Sequence, residues 1–201
     1  MSNKTYLALG DSYTIGQQVP FADNYPNQTV QLLRKAGHFF SAPEIVAKTG
    51  WTTDELETGM NRQVFLPVYD YVSLLVGVNN QYRGRSVDEY AQQFKTLLEK
   101  AIQLAGNRTG NIVVLSIPDW SVTPFASAAN TGKIMAGIDQ FNQVNREIAS
   151  ENGIYYIYIT DWTREAKTDN SLLAADGLHP SAKEYQRWAR VIADFFMLKK
   201  A

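Results

Sequence analysis

Five short apolar runs punctuate the chain: "TYLAL" (5–9), "EIVAK" (44–48), "YVSLLVG" (71–77), "NIVVLSI" (111–117) and "IYYIYIT" (154–160). Each is four to eight residues long and rich in branched or aromatic types, which is the pattern of a β-strand. Their hydrophobicity is nearly continuous rather than alternating, so both faces of each strand are expected to be buried. Longer segments with helical periodicity lie between them. Strand and helix in alternation imply parallel strands joined by right-handed crossovers, with helices covering both faces of one sheet. The expected fold class is therefore α/β, a three-layer α/β/α sandwich around a five-stranded parallel sheet.

The helical segments show two independent kinds of signal. Val87, Tyr90, Ala91, Phe94, Leu97, Leu98, Ala101, Ile102 and Ala105 share one face. That segment opens at Ser86 with Glu89 three residues on and stops near Gly106, a capping box and a terminating glycine. Thr52 with Glu55 and Ser181 with Glu184 repeat the start signal. Further helices are expected at about 25–36, 134–150 and 182–197, and "DWSVTPFASAANTG" (119–132) reads as the one long irregular loop beside a site.

A chain of 201 residues is long enough for one domain with a full core, and no shift in composition asks for a second, so 1–201 reads as a single domain. Nineteen basic and twenty acidic side chains leave a net charge of -1, which supplies no excess for a nucleic-acid partner. No run approaches the roughly 18 apolar residues of a membrane helix. The N-terminus has no basic segment followed by a long apolar one, so a cytoplasmic location is the expectation. Cysteine is absent, which excludes disulfides and thiol nucleophiles.

In a parallel sheet ligands bind beyond the carboxyl ends of the strands, so the residues just past each run matter most. They are Gly10-Asp11-Ser12, Gly50-Trp51, Gly77-Val78-Asn79-Asn80 and, near the C-terminus, Asp176-Gly177-Leu178-His179-Pro180. Together they supply a hydroxyl, an imidazole, a carboxylate, an amide and backbone donors, the groups acyl transfer needs. Each block alone also has a plain structural reading: Gly-Asp-Ser as a turn or helix cap, Gly50 as a strand-to-helix turn, and Asp176 as an acceptor for backbone amides. Of the two histidines, His38 reads as a surface or helix-end residue, which leaves His179 as the base for a reactive serine.

All four blocks in this order, spanning residues 10–180, resemble the SGNH hydrolase superfamily, also called the GDSL esterase/lipase family. The resemblance implies a flavodoxin-like fold with Ser12 as nucleophile, His179 as base and Asp176 as its partner. It further implies an oxyanion hole formed by the Ser12 and Gly50 backbone N–H groups and the Asn79 side chain, with no metal and no cofactor. Two positions depart from the usual pattern: Tyr13 stands where leucine is common, and Asn80 where aspartate often occurs.

Tyr13, Trp51 and Asn80 are the expected substrate-binding residues, with Tyr82, Trp120 and Phe125 in loops near the same place. Arg83 and Arg85 read as solvated loop charges. Asp161, at the end of the fifth run, rivals Asp176 as the carboxylate behind the base, and Gly59 is a weaker rival to Gly50. A phosphoacceptor role for Asp11 is disfavoured, because Tyr13 stands where a second acidic residue belongs and no phosphate-binding Gly-x-x-x-x-Gly-Lys loop occurs. Gly-x-Ser-x-Gly is absent around Ser12, where Thr14 replaces the last glycine. The resemblance implies a small-molecule ester substrate, an acylated carbohydrate or a lipid included, with short-chain or acetyl esters as the central expectation. Lysophospholipase or thioesterase activity, and a non-catalytic binding module, are the alternatives.

Overall fold

The computed structural model describes residues 3–126 and 130–198. In chain order the elements are β1 (Tyr6–Gly10), α1 (Ser12–Ile15), α2 (Tyr25–Lys35), β2 (Glu44–Ala47), α3 (Thr53–Met60), β3 (Tyr71–Leu75), α4 (Val78–Tyr82), α5 (Val87–Leu104), β4 (Ile112–Leu115), α6 (Thr131–Glu151), β5 (Tyr155–Ile157), α7 (Thr160–Arg164) and α8 (Ala182–Leu198). The five strands form one parallel sheet in the order β2-β1-β3-β4-β5. The chain runs outward from β1 to β2, then crosses back to β3 on the other side. That reversal opens a crevice beyond the carboxyl ends of β1 and β3, where α/β sheets bind ligands.

Helices cover both sides of the sheet, as continuous burial of β1, β3 and β4 requires. Helices α2 and α8 pack on each other over the face carrying Tyr6, Tyr71 and Ser73. Strand alternation sends Val72 and Leu74 to the opposite face, the side of α3, α5 and α6. Three hydroxyls sit inside the α2/α8 layer and satisfy one another: Tyr6 and Tyr25 both meet the Ser73 hydroxyl, at 2.7 and 3.3 Å. Burial pushes the Tyr25 phenol up to about 12, so it stays protonated there.

Local signals are realised to different degrees. At α3 the Glu55 carboxylate returns to the Thr52 N–H at 3.0 Å, completing the expected box. At α5 the Ser86 hydroxyl caps the Glu89 N–H at 3.1 Å, but the Glu89 carboxylate turns to Arg85 and Gln93. At α8 the box expected of Ser181 and Glu184 does not form. Glu184 is buried and accepts the Trp188 indole N–H at 2.8 Å instead, because a core tryptophan needs an acceptor more than an exposed cap does.

Two boundaries also differ from the sequence reading. The fifth strand stops at Ile157, since the Ser116 hydroxyl captures the N–H groups of Ile159 and Thr160 and bends the chain into α7. Helix α6 starts three residues earlier than expected, capped by Asn130 on the Lys133 N–H. The loop at 119–132 contains two 3-10 turns, Trp120–Val122 and Pro124–Ala126, and its residues 127–129 lie outside the described ones.

Gly10 ends β1 in register with Ala47 on one side and Leu75 on the other. A Cβ there would lie 2.1 Å from the Thr14 hydroxyl and 2.3 Å from the Leu75 carbonyl oxygen. Backbone cannot yield as a flexible side chain does, so Gly10→Ala is expected to destabilise the fold by at least about 2 kcal/mol, read from urea unfolding midpoints.

Candidate active site

Asp11 has left the strand and caps α1, its Oδ1 accepting the Tyr13 N–H at 3.0 Å. Ser12 is thereby the first residue of the helix, where backbone N–H groups have no partner further up the chain. The second component comes from the other end of the sequence. Before α8 the chain folds into a self-braced loop in which Asp176 Oδ1 accepts the N–H groups of Leu178 and His179, both at 3.0 Å. Gly177 takes a positive φ of 66° in that loop, the left-handed conformation that favours glycine.

The other Asp176 oxygen lies 2.6 Å from His179 Nδ1, and His179 Nε2 lies 3.0 Å from the Ser12 hydroxyl. A carboxylate only accepts, so Nδ1 carries the proton and Nε2 presents its lone pair to the Ser12 O–H. Ser12 and His179 are almost entirely buried. Partial burial tends to raise the Asp176 carboxyl, but hydrogen bonds from the His179 ring and the two N–H groups outweigh it and hold the group below the usual carboxylate range. Asp161 is elsewhere: its side chain is 69% exposed and pairs with Arg164 at 3.2 Å.

On the opposite side of Ser12, Asn79 Nδ2 donates to the Trp51 carbonyl at 3.0 Å and faces Asp11 Oδ2 at 3.4 Å. Gly50 adopts φ 80°, and its carbonyl accepts from Arg83 at 2.6 Å. Arg83 also pairs with Glu55 and Arg85 with Asp54 and Glu89. Arg83 is exposed, as expected of a loop charge, yet both arginines are paired, and Arg83, just past α4, also fixes the Gly50 peptide. Gly59 sits in α3 under the Trp51 ring, where a Cβ would lie 2.2 Å from it. The Trp51 ring is thus packed on α3 and does not line the cleft.

Asn80 is also absent from the cleft. It is fully buried and bonds Thr53 twice, accepting the backbone N–H at 3.1 Å and donating to the hydroxyl at 2.7 Å, which ties α4 to α3. Tyr13 does reach the site: its ring is 5.0 Å from the His179 ring and forms part of the wall. A cleft of about 170 Å³ opens over Ser12, Gly50, Asn79 and His179, walled by Tyr13, Val78, Tyr82, Trp120, Phe125 and Leu178. Trp120 is fixed by its indole N–H on Gln81 at 2.8 Å, whereas Tyr82 and Phe125 are half exposed at the mouth.

Sequence reasoning missed how the aromatic loop is held. Asp119 is buried, caps the Ser121 N–H and accepts from Arg164 at 2.8 Å, while the Thr163 hydroxyl receives the Asp119 N–H. The signal available was an aspartate one residue before the first 3-10 turn.

Burial pushes the Asp11 carboxyl up to about 7, with the Tyr13, Asp11 and Asn79 N–H groups pulling it back. A carboxyl raised from the ordinary value of 3.8 keeps its proton in the folded state where the unfolded chain has lost it. Its contribution to stability is thus full below about pH 4 and declines as pH rises through about 7. Asp11→Asn removes that decline, so the variant is expected to gain stability relative to the parent between pH 5 and pH 8 in urea titrations.

The comparisons with known proteins agree with this architecture. A sequence model of the GDSL-like Lipase/Acylhydrolase family matches residues 8–187. No curated protein matches in sequence. Among solved structures, a lipase/acylhydrolase from Enterococcus faecalis superimposes with a TM-score of 0.75 at 19% identity, covering 98% of this chain and 100% of that one. An acetylxylan esterase from Geobacillus stearothermophilus gives 0.73 at 21% identity, covering 97% and 94%. A hydrolase from the metagenome of Lake Arreo, Spain, gives 0.72 at 17% identity, covering 100% and 98%. At these identities the likeness to the structures is one of fold.

Proposed function

The chain belongs to the GDSL-like lipase/acylhydrolase family, and on that premise we propose that it is a serine esterase that cleaves short-chain carboxylic esters through an acyl-enzyme on Ser12. The observation that supports this most directly is the unbroken hydrogen-bond path from Asp176 through His179 to the Ser12 hydroxyl. His179 Nε2 takes the hydroxyl proton as Ser12 Oγ attacks the ester carbonyl carbon. The carbonyl electrons move onto oxygen, where the Ser12 and Gly50 N–H groups and Asn79 Nδ2 receive the charge. Loss of one such donor typically costs about 2.7 to 4 kcal/mol of barrier.

As the intermediate collapses the bond to the alcohol oxygen breaks, and His179 returns the proton to that oxygen. A water then repeats the sequence on the acyl-enzyme, releasing the acid and restoring Ser12. Asp176 stays ionised throughout, holding the ring in one tautomer and stabilising the imidazolium. The depressed Asp176 carboxyl suits this role, since ionisation is what the developing positive charge requires.

The cleft favours a small acyl group: its volume of about 170 Å³ is below that of a typical drug-sized pocket, roughly 300 Å³ upward. One structural neighbour is an acetylxylan esterase, in keeping with acetyl transfer to water. The exposed rings of Tyr82 and Phe125 at the mouth favour an alcohol part with an apolar or sugar face. They also support the second reading, a lysophospholipase or thioesterase, in which a longer chain lies along the same rings.

Ser12→Ala and His179→Ala are expected to lower kcat on p-nitrophenyl acetate by at least about 10³-fold while the circular dichroism spectrum is unchanged. A fluorophosphonate probe labels Ser12 in the parent only. Asp176→Asn loses about 10² to 10⁴-fold and Asp161→Asn stays within about twofold, as expected for an exposed ion pair; the reverse pattern transfers the partner role to Asp161.

Across p-nitrophenyl esters of increasing acyl length, kcat/KM is expected to be highest for the shortest acyl groups. An optimum at eight carbons or beyond supports the longer-chain reading instead. Phe125→Ala raises KM about two- to tenfold with kcat retained, the scale of one lost aromatic contact.

A further inference from the structure

Asp11 takes no part in the steps above, yet its carboxylate is fully buried between the nucleophile turn and the Asn79 amide. Among the described residues no lysine or arginine forms an ion pair with it. An unpaired carboxylate in such a place costs stability, and many short polar residues would cap α1 as well. Capping alone therefore does not account for a buried carboxylate here, which points to a second task for the side chain.

Its two oxygens have separate partners. Oδ1 takes the Tyr13 N–H at 3.0 Å, which holds the turn presenting Ser12. Oδ2 faces Asn79 Nδ2 at 3.4 Å, while the same nitrogen donates to the Trp51 carbonyl at 3.0 Å. A primary amide has two N–H bonds; the Trp51 carbonyl has no hydrogen to give, and neither has the Asp11 carboxylate above about pH 7, where it is ionised. Turning the amide over would set its oxygen against a carbonyl and a carboxylate. The orientation with NH2 toward Asp11 and Trp51, in the cleft that Asn79 lines with Ser12, is thus the one this pair permits. The Asp11 contact is the longer of the two, near the outer limit for N–H···O, so that N–H can be shared between Asp11, which keeps hold of the amide, and an oxyanion.

We propose that Asp11 is a positioning residue for the reaction, locking the Asn79 amide with its donors toward the oxyanion while fixing the turn that carries Ser12. The inference rests on the esterase reading, and deepens it by giving the oxyanion donor a dedicated holder. Asp11 does not touch substrate; it acts through Asn79.

The test is a double-mutant cycle on p-nitrophenyl acetate hydrolysis with Asp11→Asn, Asp11→Ser, Asn79→Ala and the combinations. Serine keeps a capping oxygen for the Tyr13 N–H but is too short to reach Asn79, so it separates the cap from the lock. Both Asp11 variants are expected to lose about ten- to hundredfold in kcat with KM within about threefold, at undiminished stability for Asp11→Asn at pH 8. Asn79→Ala, costly in the parent, then costs less than about threefold in either Asp11 background.

An Asp11→Ser enzyme within twofold of the parent, or an Asn79→Ala factor equal in both backgrounds, overturns the inference and leaves the esterase reading intact. A parent without Ser12-dependent ester hydrolysis overturns the reading itself, and the inference with it.

Discussion

The missing methyl of Gly10 is the constraint on which sheet and site both depend. Gly10 is the last residue of the strand at the reversal of the sheet, flanked by Ala47 and Leu75, and the space a side chain would need is filled by the Leu75 carbonyl and the Thr14 hydroxyl. The chain can therefore pass from a buried central strand into α1 within one residue. Asp11 becomes the cap and Ser12 the first helical residue as a direct result. A wider turn would carry the hydroxyl away from a histidine 167 residues later in the chain, whose ring has only a 3.0 Å contact to give.

Around that turn, buried polar groups divide into those that stitch elements together and those left facing the cleft. The side chains of Ser116, Asn142 and Thr160 bond one another and the Ile117 and Ile159 N–H groups where β4, α6 and α7 meet, and so set where the aromatic loop begins. Arg83 and Asn79, four residues apart, grip the consecutive carbonyls of Gly50 and Trp51. Each such bond contributes only about 1 kcal/mol net. Their larger effect is geometric, because groups facing a cleft lose much of any catalytic value when misplaced by an ångström.

The sheet was legible because a strand buried on both faces must be apolar throughout, which holds for β1, β3 and β4. The edge strands β2 and β5 read as equally apolar but are only partly buried, against the expectation that every strand would be covered on both faces. The motif residues were legible for a related reason: strand ends in a parallel sheet converge, so Ser12, Gly50 and Asn79 could be brought together without knowing any loop, whereas His179 follows no strand and was reached as the one histidine left to serve as a base. Side-chain direction was not legible. Asn80 follows Asn79 in sequence, but one helical step rotates it by about 100°, into α3 rather than the cleft. Trp51 fills the hollow above Gly59, and Glu184 serves Trp188; both are demands made by distant residues, which local pattern does not report. The capping role of Asp11 was visible in the tripeptide, whereas its contact to Asn79 exists only once β1 and β3 are adjacent.

The last helix gives the site an unusual relation to chain closure. His179 and Asp176 form a locally complete acid–base unit directly before α8, and α8 is seated on α2 through Tyr185 and Trp188 against Tyr25, with Gln28 and Thr29 bonding its carbonyls. Ser12, by contrast, is in place as soon as the first strand is paired. In a parallel sheet such distant pairings form late, because loop closure must precede them. Turnover therefore begins only when the two ends of the chain have met, and ester hydrolysis during refolding would time the docking of α8 rather than the growth of the sheet.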